Sequence, residues 1–287
     1  MKKSVVITSI LLIIAGFITF IVSFSTTGFD WKSLSNEGEY TLKTVSYDVC
    51  EKIEVDITTE DMKIISSSDE KINITYYENN FHKYTLNLKD SKLSFEEKER
   101  ENFFNFNIFN FFNYIEYPIV IAIPETFIGS LDLDITTADV YIDIDNQLKD
   151  VEIELSTGDL TVKNLKADNL YVEQTTGDID IYNVSINNQY CQKITTGDSQ
   201  IENLKSNVAK IKSTTGDIEF NNIDANELYI EATTGDVEGK LNYKISEYTI
   251  TSDTTTGDNN LPKFYKEGSK ILNIKTTTGD IEVDFAR

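Results

Sequence analysis

Eight copies of one four-residue signature constrain what this chain can fold into more than any other feature. They run from Thr136-Thr137-Ala138-Asp139 through Ser156-Thr157-Gly158-Asp159 to Thr277-Thr278-Gly279-Asp280, with Asp-to-Asp steps of 20, 19, 20, 19, 19, 22 and 22. A degenerate copy, Thr58-Thr59-Glu60-Asp61, lies further upstream. Apolar residues recur two apart on both sides of each signature: Val151 and Ile153 before one, Leu160 and Val162 after it. Polar and charged residues fill the intervening positions, so each unit reads as two strands with one buried face apiece. A second turn begins at Asn164, Asn183, Asn203 and Asn222.

A period of about twenty residues is too short for a helical crossover between strands. It fits one coil of a β-solenoid, in which equivalent strands stack in parallel about 4.8 Å apart. Eight coils then make a rod of roughly 35–40 Å. One coil cannot bury its apolar face alone, so stability comes from the stack. Gly158, Gly177, Gly197, Gly216, Gly235, Gly257 and Gly279 are the structural turn residues, since glycine accepts positive φ at a tight corner. Identical Thr, Asp and Asn residues should form ladders from coil to coil, with each Asp capping its own corner.

The N-terminus carries a different signal. Lys2 and Lys3 precede an uncharged run from Val5 to Phe24, which as a helix is about 30 Å long and spans a bilayer core. A cleaved signal peptide also has a basic start and an apolar middle, but no A-x-A-like site follows this run. The expectation is therefore an uncleaved anchor over residues 1–25, with the N-terminus cytoplasmic under the positive-inside rule and the remainder extracellular. Residues 26–44 read as a juxtamembrane linker, 45–130 as a first irregular β part with an aromatic insertion, and 131–287 as regular coils. The fold class is all-β: a parallel β-solenoid behind one N-terminal transmembrane helix.

Composition removes several functions. With 26 Lys plus Arg against 48 Asp plus Glu the formal charge is −22, which argues against a nucleic-acid partner. The lone His82 excludes multi-His zinc sites and leaves only one conceivable Ser-His or Cys-His dyad. It sits in a polar stretch and is expected to be solvated. Cys50 and Cys191 cannot build a disulfide framework, and the sequence does not establish that they meet. No phosphate loop, dinucleotide fingerprint or GxSxG elbow is present.

Repeated TTGD-I-x-I-x-N-V units behind one hydrophobic N-terminal segment resemble the "putative adhesin" family, domain of unknown function 4097, of Gram-positive surface proteins. The resemblance covers residues 45–287 and includes Ile53-Glu54-Val55-Asp56-Ile57-Thr58-Thr59 and the apolar strand Ile119-Val120-Ile121-Ala122-Ile123-Pro124. It implies the fold and a surface role, and it carries no catalytic residues to transfer.

Three features remain as candidate chemistry. The aspartates Asp159, Asp178, Asp198, Asp217 and Asp236 would stack about 5 Å apart and could attract Ca²⁺, although corner capping is the stronger reading. The segment Asn102–Tyr114 contains Phe103, Phe104, Phe106, Phe109, Phe111 and Phe112, and reads either as a cover for the open solenoid end or as an arm touching lipid or a partner. Tyr141, Tyr171, Tyr182 and Tyr229 lie on the wet strand face, where a row of rings could stack on a polymer, although ordinary cross-strand pairing is the stronger reading. No enzyme activity and no cofactor are expected. The leading expectation is a non-enzymatic surface adhesion or interaction scaffold with a cell-wall polymer or membrane-protein partner. The alternative is an accessory protein of envelope-stress sensing that acts through a membrane partner. Glu282, Asp284 and Arg287 are expected to guard the terminal strand against edge pairing.

Overall fold

The computed structural model describes residues 40–79, 82–98 and 117–287, together with residues 16, 19, 22 and 25. Gly16, Thr19, Val22 and Ser25 are helical; the rest of the expected span over residues 5–25 lies outside the described residues. Among the described residues no helix is long and apolar enough to cross a membrane. The aromatic segment with Phe103 to Phe112 also lies outside them.

The described chain is all-β and solenoid-like. Its first part holds β1 (Thr41–Tyr47), β2 (Lys52–Ile57), β3 (Met62–Ser67), β4 (Ile72–Glu78), β5 (Tyr84–Lys89), β6 (Lys92–Glu97) and β7 (Ile119–Pro124). The repeats supply β8 (Ser130–Thr137), β9 (Val140–Asp143), β10 (Gln147–Thr157), β11 (Leu160–Lys163), β12 (Lys166–Thr176), β13 (Ile179–Thr196), β14 (Ser199–Thr215) and β15 (Ile218–Thr234). The C-terminal part adds β16 (Val237–Leu241), β17 (Tyr248–Thr256), β18 (Phe264–Lys266), β19 (Lys270–Thr278) and β20 (Ile281–Phe285). β1 starts at Thr41, inside the stretch read as linker.

Equivalent strands pair in parallel and in register. Before the TTGD corner, β2, β8, β10, β12, β13, β14 and β15 follow one another. After it, β3, β9, β11, β13, β14, β15, β16 and β20 do the same. The degenerate Thr58-Thr59-Glu60-Asp61 therefore forms the corner of a coil stacked directly on Asp139, 78 residues away in sequence. Below it the stack closes with β6 on β2 and β7 on β3, both parallel, and then with the antiparallel strands β5, β4 and β1. The apolar columns are the core: Ile53, Leu131, Val151, Leu170 and Leu228 are each at most 2% exposed, as are Leu160, Ile179 and Ile218. Burying each such side chain is worth about 1.5–3 kcal/mol relative to leaving it in water.

Four details differ from the sequence reading. In three coils the second turn does not interrupt the strand: β13 runs from Ile179 to Thr196 straight through Asn183, which bends it with φ 56°. Asn164 and Asn222 adopt the same left-handed conformation, which short amide side chains tolerate. The coils also do not stack in chain order at the C-terminal end. β19 lies on β15, and β17 lies outside β19. The last signature is therefore inserted beneath the one that precedes it in sequence. The edge of β20 is met by Asn260, whose Nδ2 donates to the Val283 carbonyl at 3.2 Å and whose Oδ1 accepts the Val283 N–H at 3.0 Å. An amide side chain thus mimics a strand where charges were expected to serve. Finally, one coil carries Tyr190, Gln192 and Ser199 at positions that are apolar in most others, and all three are buried.

The turn glycines are required twice over. Gly197 has φ +138°, and a Cβ there would lie 2.0 Å from the Gly177 carbonyl oxygen of the coil beneath. Neither condition leaves room for a side chain.

Candidate functional site

The aspartate edge is continuous. Each Asp donates its backbone N–H to the Oδ1 of the Asp on the neighbouring coil. The distances are 2.8 Å for Asp159 to Asp139, 2.9 Å for Asp178 to Asp159, and 2.8 Å for Asp198 to Asp178, Asp217 to Asp198 and Asp236 to Asp217. The carboxylate thus caps the next coil's corner and not its own, because the N–H of its own corner already points at the coil beneath. The asparagine corners form a second ladder, with Asn203 Nδ2 donating to Asn183 Oδ1 at 2.9 Å and Asn222 Nδ2 to Asn203 Oδ1 at 2.6 Å. One oxygen of each ladder carboxylate is committed to a backbone donor, which supplies the structural role for Asp159, Asp178, Asp198, Asp217 and Asp236.

The tyrosines do not form one row. Tyr141 and Tyr182 fall in different columns after the corner, and Tyr171 and Tyr229 fall in one column before it, separated by Cys191 and Lys210. Lys163 Nζ lies 5.4 Å from the Tyr141 ring centroid and 5.3 Å from that of Tyr182, a cation–π arrangement on both rings. The Tyr229 hydroxyl donates to Glu227 at 2.8 Å. Cys50 and Cys191 are both free thiols, Cys50 buried.

A groove of about 380 Å³ runs over the strands that follow the corner, floored by Ile201, Phe220 and Gly239. One wall carries Glu219, Glu238 and Glu282 in register on three adjacent coils, and the other carries Glu202, Lys240 and Asp284. Burial raises the pKa of the Glu238 carboxyl, and the like charges of Glu282 and Glu219 raise it further. Stacking identical residues at strand spacing places these carboxylates together. Among the described residues no backbone donor relieves the row as it does at the corner.

His82 is not solvated. Its side chain is 16% exposed, with Nδ1 against Glu60 Oε1 and 3.7 Å from Glu97 Oε1. The His82 Nδ1–Glu60 Oε1 contact is close but poorly aligned for a hydrogen bond. Burial raises the Glu60 pKa, but contact with His82 and its charge more than offset this and leave the carboxyl below its ordinary range. Glu60 stands at the glycine position of the degenerate signature. That substitution, together with the lone histidine, was the available sequence signal, and neither points to the other without the fold.

A family model described as "Toastrack DUF4097" matches residues 50–284. Among curated proteins none matches the chain. Solved structures similar to it include a "putative adhesin" from Bacteroides fragilis (16% identity, TM-score 0.44, covering 85% of this chain and 97% of that one). A "putative cell adhesion protein" from Clostridium sporogenes shares 15% identity with a TM-score of 0.30, covering 86% and 100%. A "putative lipid binding protein" from Parabacteroides distasonis shares 12% identity with a TM-score of 0.48, covering 87% and 98%.

Proposed function

The chain belongs to the Toastrack DUF4097 family, and from that premise we propose that it is a non-enzymatic surface scaffold for adhesion or interaction. Its N-terminal apolar run anchors it in the membrane and its β-coils stand outside the cell. The observation that carries the reading is the groove in which Glu219, Glu238 and Glu282 repeat at coil spacing. A row of like charges at strand spacing repels itself, and it is relieved by a partner that presents positive charge at a similar interval. A cell-wall polymer with cationic substituents or a basic segment of a membrane protein has that chemistry. Repetition also suits attachment, because three neighbouring coils offer the same contact and weak contacts add through avidity.

The test is attachment. Cells lacking the gene should adhere less, and a chain carrying Glu219→Gln, Glu238→Gln and Glu282→Gln together should fail to restore adhesion while being displayed at normal levels. Unchanged attachment with altered envelope-stress transcription would replace this reading with the signalling one.

A further inference from the structure

We propose that Glu60, His82 and Glu97 form a site for a divalent transition-metal ion of the Zn²⁺ type, fastening the first coil to the strands that close the solenoid. One ligand atom from each residue lies within 4.8 Å of the other two. The three come from different places: Glu60 from the β2–β3 corner, His82 from the segment before β5, and Glu97 from the end of β6. Their side chains are 17%, 16% and 6% exposed. Glu97 Oε2 accepts the Thr58 N–H at 2.9 Å, which fixes the carboxylate and leaves Oε1 facing His82 Nδ1.

A second observation points to the same spot. The Tyr84 hydroxyl and Thr59 Oγ1 lie against the Glu60 carboxylate, yet these atoms and Glu60 Oε2 are buried without a hydrogen bond of ordinary geometry. Tyr84 is only 5% exposed. Burial raises its pKa first, and the charge of Glu60 raises it next, which places its hydroxyl beside that carboxylate. Buried polar atoms in folded proteins are satisfied almost without exception, and an ion at this spot would complete the partners of a cluster whose own contacts are poorly aligned. Among the described residues no Lys or Arg pairs with Glu60 or Glu97. Two half-buried carboxylates beside one imidazole favour positive charge, and a divalent ion supplies it while drawing the nearby oxygens inward.

The donor set selects the ion. One imidazole nitrogen with two carboxylates suits Zn²⁺ and its neighbours, whereas Ca²⁺ takes six to eight oxygens in roughly this kind of site. The position also has a purpose. Glu97 at the end of β6 and His82 before β5 both meet the Glu60 corner, so an ion there would tie these segments to the first coil.

The competing occupant is a proton, with His82 as an imidazolium held by Glu60. Zinc titration of the chelator-stripped full-length chain in detergent decides between them. The expected result is one saturable Zn²⁺ per chain, a rise in melting temperature with zinc, and loss of both in His82→Ala. Glu97→Gln should bind about tenfold or more weakly, and it guards against a misfolded His82 variant, with circular dichroism confirming the β content of each. Co²⁺ in place of Zn²⁺ should give visible absorption bands that His82→Ala lacks. Absence of saturable zinc binding, binding unchanged in both variants, or stoichiometric Ca²⁺ binding in preference to Zn²⁺ would each overturn the proposal.

Discussion

Asp280 donates its backbone N–H to Asp236 Oδ1 at 2.7 Å, although Asp258 is the nearer signature in sequence. Asp258 in turn donates to Asp280 at 2.7 Å. The chain therefore leaves β15, travels outward through β17 and β18, and returns to insert β19 in the gap. The 22-residue spacing of the last two signatures, against 19 or 20 elsewhere, is the sequence trace of this detour. Cysteines at Glu231 and Lys275 face each other across adjacent strands. A pair at Glu231 and Asp253 sits two strands apart, about 9.6 Å, too far for a disulfide. In a Cys50→Ser, Cys191→Ser background, oxidation should cross-link the first pair and not the second, read by mass spectrometry. The reverse result would restore sequential stacking.

The aspartate ladder predicts a graded response at one corner. Asp198→Ala removes the acceptor of the Asp217 N–H and should cost about 1 kcal/mol, since water partly replaces it at an exposed edge. Asp198→Asn keeps an oxygen in place and should cost much less. Calcium should leave the melting temperature of both variants and of the natural chain unchanged. A large calcium-dependent rise would mean that the carboxylates are ion ligands first.

The regular coils were legible because their cause is local. Apolar residues two apart, a glycine whose carbonyl neighbour excludes any Cβ, and an asparagine that accepts left-handed φ all act within one coil. The stacking order was not legible, because Gly257 and Gly279 carry the same signature and either could sit on Gly235. Only a contact between coils distinguishes them. His82 was misread for a related reason: its partners Glu60 and Glu97 are 22 and 15 positions away, and no periodicity connects them.

One inter-coil contact that favours the inserted order is the ion pair of Asp224 on β15 with Lys270 on β19, 3.0 Å apart. Burial acts to raise the Asp224 pKa, but hydrogen bonds from Lys270 and Tyr243 outweigh it and leave it lowered from 3.8. A lowered folded-state pKa means that the pair stabilises fully above the ordinary aspartate value and loses that stability as pH falls through the folded one. Lys270→Met should therefore lower the urea midpoint at pH 7. The deficit relative to the natural chain should shrink as pH falls below the ordinary aspartate range and Asp224 takes up its proton. A deficit that does not change with pH would show that Lys270 acts through Tyr243 and the Ala225 carbonyl and not through the Asp224 charge.

The coil of Tyr190, Gln192 and Ser199 breaks the apolar pattern at three positions, and the breaks belong to one network. The Tyr190 hydroxyl donates to Gln192 Oε1, and Gln192 Nε2 donates to Ser199 Oγ at 2.7 Å. All three residues are at most 1% exposed, so water cannot replace a lost partner. Removing one member leaves a buried group unsatisfied, whereas removing all three leaves none. Ser199→Ala and Gln192→Leu should each cost about 1–3 kcal/mol in urea unfolding. Tyr190→Phe, Gln192→Leu and Ser199→Ala combined should cost clearly less than the sum of the single changes, because the polar groups disappear together. Strict additivity would mean that the three side chains are buried independently, and that the coil tolerates each for a separate reason.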